Sequence, residues 1–137
     1  MQHTSAADQD EQATRPFEGL VVVELGHSVA APFAGQIFGE LGATVIKVEK
    51  HDGDAARAWG PPFQEGAATL FQTLNRNKQS VVCDLRDPAQ TDALKRLIAD
   101  RADVVLQNLR PGQVEALGLD GAALLALRPS LIYCNMG

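Results

Sequence analysis

The sequence is short of several things, and each shortage removes a class of function. Among its 137 residues only Cys83 and Cys134 are cysteines. Both lie inside apolar runs, so they read as buried free thiols rather than a disulfide framework or a metal site. No apolar stretch approaches the roughly 20 residues that a membrane span needs. The opening segment MQHTSAADQDEQATRP is polar and lacks the apolar centre of a secretory signal. It is also acidic with a single arginine, a poor composition for a mitochondrial transit peptide, so a cytoplasmic location is expected. A basic excess is missing too. The formal net charge of -5 argues against nonspecific nucleic-acid binding, which relies on a basic footprint. Small anionic ligands stay open, because a local basic rim can exist on an acidic protein.

Nucleotide and hydrolase fingerprints are lacking as well. A dinucleotide turn wants G-x-G-x-x-G after the first strand. Here the stretch is Gly26-His27-Ser28-Val29-Ala30-Ala31, with side chains where the second and third glycines belong. Glu49 mimics the ribose-binding acid of such folds, but without the glycines an NAD or FAD domain is disfavoured. A GxxxxGK loop, a His/Cys cluster with metal-ligand spacing and a G-x-S-x-G elbow are all absent from the sequence.

What is present is alternation. Residues 20–25 (LVVVEL) form a β-branched run of the kind buried on both faces of a sheet. Pro32 suits the first turn of a helix reaching about Leu41, and Gly42 suits its end. Further strands are expected at 43–48 (ATVIKV), 80–85 (SVVCDL), 103–106 (DVVL) and 131–134 (LIYC). Helices are expected over 67–74, from Asp87-Pro88 with Leu94, Leu97 and Ile98 on one face, and in two short pieces around Gly118. A Gly- and Pro-rich loop, HDGDAARAWGPPFQEG, separates the second strand from the next helix. This order predicts an α/β layer fold with a parallel sheet flanked by helices. Residues 1–16 are expected to be a disordered leader and residues 17–137 an incomplete Rossmann-like domain. The crossover that would follow the fifth strand is missing, so apolar sheet surface should be exposed.

Ligands of open α/β sheets bind beyond the carboxyl ends of the strands. Gly26, His27 and Ser28 follow the first strand, Lys50 and His51 the second, Arg86 the third, and Asn108, Leu109 and Arg110 the fourth. A polyphosphate would be stabilised by such a rim and by the adjacent helix N-terminus. Polar loops often carry such cations without a ligand, and His27 is as well suited to packing or capping as to lining a pocket. His3 and His51 read as solvated.

Seven separated blocks carry a more specific signal: VVVELGHSVAAP, LGATVIKVEK, GDAARAWGPPF, LNRNKQSVVCDL, ADVVLQNLRPG, LGL and PSLIYC. Together they resemble the family III CoA-transferases, which include formyl-CoA, carnitine and dicarboxylate CoA-transferases and α-methylacyl-CoA racemase. The resemblance implies a Rossmann-like large domain, a second smaller domain, and a homodimer of interlocked subunits. It implies transfer of CoA from an acyl-CoA to a carboxylic acid acceptor, with CoA as substrate and no tightly bound cofactor. An aspartate would attack the thioester and pass through aspartyl-CoA intermediates. In the family that aspartate lies downstream of PSLIYC, so none is assigned here, and a non-catalytic remnant or a stand-alone CoA- or nucleotide-binding module is the alternative. By position, the resemblance implies that His27, Val29 and Ala30 line the CoA path. Lys50 would meet the nucleotide phosphates. Cys83, Asp84, Leu85 and Arg86 would contact the adenosine part, and Asn108, Leu109 and Arg110 the pantetheine. The long loop with LNRNKQS is similar to the members acting on dicarboxylic or short-chain acyl-CoAs.

Overall fold

The computed structural model describes residues 14–137. In chain order the elements are β1 (Val21–Glu24), α1 (Ala30–Glu40), β2 (Thr44–Glu49), a 3-10 turn (Ala55–Ala58), β3 (Phe63–Gln64), β4 (Ala67–Ala68) and α2 (Thr69–Leu74). There follow β5 (Lys78–Val82), α3 (Pro88–Arg101), β6 (Val104–Gln107), α4 (Gln113–Leu117), α5 (Gly121–Leu127) and β7 (Ile132–Asn135). Five of the strands form one parallel sheet in the order β5-β2-β1-β6-β7. The chain works outward from β1 to β2 and β5, then returns to lay β6 and β7 on the other side of β1. The order therefore reverses between β1 and β6, and a crevice opens at that point.

Alternate residues of the central strands enter opposite layers, as a strand's period of two requires. Val23, Leu25, Val48 and Val105 pack beneath Leu94 and Ile98 of α3, Val114 of α4 and Leu124 of α5. Val22, Val45, Val104 and Leu106 pack on the opposite side with Ala34 and Phe38 of α1. The Phe38 ring stacks on Phe17 at 5.1 Å between centroids. Asp87 caps α3 by accepting from Ala89 N at 2.9 Å, and Pro88 occupies the first helical position, where its missing N–H costs nothing. Gly42 follows α1 at φ +106°, a conformation that favours glycine.

Several expectations are corrected. Residues 1–13 of the expected leader lie outside the described residues, whereas Arg15 packs against Gly42 and Arg15 O accepts from Glu18 N at 3.0 Å. The third strand begins earlier and ends at Val82, not Leu85. Cys83 N still donates to Glu49 O at 2.8 Å, but Asp84 then hydrogen-bonds Arg86 N and Gln90, which turns the chain out of the ladder. Ala67 and Ala68 are strand rather than helix, paired to Phe63 and Gln64 in a hairpin. The Glu65-Gly66 tip has φ of +50° and +82°, the mark of a two-residue hairpin turn that an X-Gly pair between strand residues could have revealed. Both cysteines are free, Cys83 buried but Cys134 only partly so. Val82 and Ile132, on opposite edge strands, stand 62% and 64% exposed, the largest exposures among the large apolar side chains of the described residues. No helix among the described residues is long and apolar enough to cross a membrane.

Candidate functional site

Because the five strands run parallel, every segment leaving a carboxyl end emerges along one edge. A cleft of about 290 Å³ lies there, lined by Leu25, Gly26 and His27 after β1 and by Lys47, Val48, Glu49, Lys50 and Gly53 to Ala55 from β2 onward. Leu85 closes it from beyond β5, and Leu109 and Gln113 from beyond β6. It sits at the crevice where strand order reverses.

The turn after β1 is held by side chains from three directions. Asn108 accepts from His27 N and donates to His27 O, both at 2.9 Å. Lys47 Nζ donates to Gly26 O at 3.2 Å. Asp54 accepts from Ser28 N, each carboxylate oxygen lying at 3.2 Å. Ser28 itself has φ +67°. For a residue with a Cβ that conformation costs on the order of 1–3 kcal/mol, so the turn persists because its surroundings over-determine it. Gly26 is required by close approach, since a Cβ there would meet Ala31 Cβ at 2.1 Å and Asn108 Oδ1 at 2.6 Å.

Beneath the turn lies a buried ionic network. Lys47, 1% exposed, contacts Glu24 Oε1 at 2.9 Å and Asp54 Oδ2 at 3.0 Å. Lys78 Nζ lies 2.7 Å from Glu24 Oε2, a charge contact without hydrogen-bond alignment, and donates to Pro32 O and Asn75 Oδ1. Glu49 accepts from Arg57 through both oxygens, from Ser80 Oγ and from Asp54 N. Arg57 in turn lies over the Phe71 ring at 4.1 Å. Burial raises the pKa of Glu49, but those hydrogen bonds outweigh it and bring the group from 4.5 down to about 2. Asp54 is lowered too: burial works against it, and the Ala56 N–H and the Lys47 ammonium prevail. Burial pushes Lys78 down despite Glu24. Glu49 and Asp54 are therefore committed anions.

Sequence reasoning missed this network. Its signal was a charge inside each of two apolar strands, Glu24 in VVVE and Lys47 in TVIKVE, which stand opposite each other in register. Gly35 is the second sign, because a Cβ there would fall 2.1 Å from Glu24 Oε2. Glu49, the apparent ribose acid, is turned inward to Arg57 and Ser80.

The residues singled out from the sequence divide by place. His27, Lys50, Leu85 and Leu109 line the cleft. His27 Nδ1 lies 2.9 Å from Ser28 Oγ. Val29 and Ala30 are exposed at the start of α1, and Asn108 braces the turn from behind. Cys83 is buried among the apolar residues beneath α3, and burial pushes its thiol pKa up. Arg86 is exposed and paired with Asp84 at 3.0 Å, and Arg110 is exposed; neither lines the cleft. The cations after the strands share an edge, but only Lys50 reaches the cavity wall.

Fold and cleft together define a doubly wound nucleotide-type α/β domain with its opening at the switch point. The family model for CoA-transferase family III matches residues 17–137. The chain belongs to that family. It is 42% identical over 128 residues to a succinate–glutarate CoA-transferase of Agrobacterium fabrum, covering 88% of this chain and 32% of the relative. It is 37% identical over 134 residues to human succinyl-CoA:glutarate CoA-transferase, covering 97% of this chain and 30% of the relative. A CAIB/BAIF family protein from Brucella suis superposes with a TM-score of 0.84 at 44% identity, covering 89% of this chain and 33% of that one. The chain thus spans about a third of the length of the relatives it matches.

Proposed function

We propose that this chain forms the coenzyme-A-binding wall of a CoA-transferase that moves CoA from an acyl-CoA to a carboxylic acid. The observation that carries the reading is the cleft itself, which draws its lining from the segments after β1, β2, β5 and β6. Those are the segments to which the family resemblance assigns coenzyme contacts. In this reading His27, Val29 and Ala30 border the CoA path, and Lys50 meets the nucleotide phosphates from the cleft wall. Cys83, Asp84, Leu85 and Arg86 flank the adenosine part, with Arg86 exchanging Asp84 for phosphate. Leu109 and Arg110 border the pantetheine, and Asn108 acts by shaping the His27 turn. The donor is succinyl-CoA and the acceptor a dicarboxylic acid, by likeness to relatives so named. The assembled enzyme is an interlocked dimer in the cytoplasm that uses CoA as substrate and holds no tightly bound cofactor.

Glu24, Glu49 and Asp54 are bound in ion pairs, so the covalent step falls to an aspartate outside this cleft. That commitment of the nearby carboxylates also favours a second reading, a CoA-binding module without transfer activity of its own. Calorimetric titration of CoA into the chain tests the first point. Binding is expected, weakened roughly tenfold in Lys50→Ala as a charge-assisted phosphate contact is lost. Absence of binding at millimolar CoA would overturn it. Incubation with succinyl-CoA and glutarate tests the second: binding without transfer is expected, and transfer by the chain alone would bring the nucleophile into these residues.

A further inference from the structure

We infer that Asp54 is a positioning residue for the cleft, a latch that keeps Ser28 in its left-handed conformation and thereby holds His27 and the start of α1 against the ligand. The inference rests on the coenzyme-binding reading only for what the cleft holds, not for the latch. Asp54 belongs to the long connection after β2, far in sequence from the turn it touches. Its side chain is buried at the start of the 3-10 turn Ala55–Ala58, whose Ala56 N it caps at 2.9 Å. The same carboxylate receives Ser28 N and the Lys47 ammonium. Asp54 N is fixed in turn by Glu49 Oε2 at 2.9 Å. The carboxylate is thus anchored from β2 and from its own turn, and its remaining capacity faces the one backbone N–H whose position depends on a left-handed residue.

Without that acceptor the balance at Ser28 changes. A residue with a Cβ prefers negative φ, and rotation to it would carry the Ser28 N–H and the His27 side chain away from their places. Asn108 still holds the His27 backbone but accepts no hydrogen bond from Ser28 N. Val29 at the N-cap of α1 offers no side-chain cap that could substitute.

Asp54→Asn is the direct test. Its single carbonyl oxygen is held by the Lys47 ammonium, which sets the NH2 against the Ala56 N–H, donor against donor, and leaves the Ser28 N–H one neutral, shared acceptor in place of two charged ones. CoA affinity is expected to fall roughly tenfold, the scale of a left-handed Ser left unsupported. The discriminating variant is Ser28→Gly/Asp54→Asn. Glycine takes positive φ without the Cβ penalty, so affinity should return to within about threefold of wild type. Capping and charge pairing at Asp54 are lost equally in both variants. A merely structural Asp54 would therefore show no rescue, and that result overturns the latch.

A second readout needs no ligand. The Ser28 amide of the free chain is expected to be protected from hydrogen exchange, with protection lost in Asp54→Asn. If wild type fails to bind CoA while this pattern holds, the coenzyme reading fails and the latch stands. If the Ser28 amide exchanges at the rate of an open loop in wild type, the latch is wrong whatever binds. That wild-type measurement also decides the matter if Asp54→Asn does not fold.

Discussion

On the side of the sheet covered by α3, α4 and α5, Val23, Leu25, Val48 and Val105 meet Leu94, Ile98, Val114 and Leu124, an interior in which apolar burial suffices. On the side covered by α1, the same strands present Glu24, Lys47 and Glu49 toward their carboxyl ends, joined to Lys78, Asp54 and Arg57. The two sides carry different tasks. The apolar layer holds the sheet together and meets the cleft at Leu25, Val48 and Leu109. The ionic layer is a poor way to gain stability, because desolvation offsets most of the attraction between buried charges. It is a good way to fix backbone groups in place: Lys47 grips Gly26 O, and Asp54 grips Ser28 N, at the floor and wall of the cleft.

The contrast is broken most severely at Lys47. Lys47→Met removes the cation that touches both Glu24 and Asp54, and Lys47 is the only charged partner of Asp54 among the described residues. Removing one member of a buried pair costs about 3–5 kcal/mol. Urea unfolding should show the loss, and a cost under about 1 kcal/mol would mean the network is solvated in solution and is no interior at all.

Acid probes the same layer more gently. Glu49 is lowered from 4.5 to about 2 by Arg57, Ser80 and the Asp54 N–H against the opposing effect of burial. A depressed carboxylate stabilises the fold fully above its unfolded value. That contribution, about 3 kcal/mol, is lost as pH falls from about 4.5 towards 2. Asp54 shifts in the same direction and adds to the slope. Unfolding midpoints measured across that window should fall steeply, and Glu49→Gln should flatten the slope. An unchanged slope in that variant would assign the acid sensitivity elsewhere.

The apolar layer was legible in the sequence, and the ionic one was not, for a physical reason. Runs such as VVVE and DVVL, the Asp87-Pro88 start of α3 and Gly42 after α1 are local signals, and each element formed near its expected place. Family membership was legible as well, through blocks spread over residues 17–137. The placement of Glu24 opposite Lys47 depends on the register of two strands joined through α1, a distance no local pattern spans. Arg86 shows a different limit at the site. It follows β5, but its guanidinium is paired with a neighbour two residues away, Asp84. The Glu65-Gly66 hairpin was within reach and was obscured by the surrounding Gly- and Pro-rich stretch.

The smallest expected effect sharpens the division. Ile98 is fully buried under the sheet, on the side away from Glu24 and Lys47. Ile98→Val removes one methylene from that layer and should cost about 1 kcal/mol, with the transfer loss and the small cavity both included. The urea midpoint should fall with the slope unchanged, since the surface exposed on unfolding is nearly the same. Affinity for CoA should stay within about twofold of wild type, because Ile98 is not among the residues that line the cleft. Should affinity fall in step with stability, the apolar layer would be setting the cleft's shape, and the separation of a layer that holds from a layer that positions would fail.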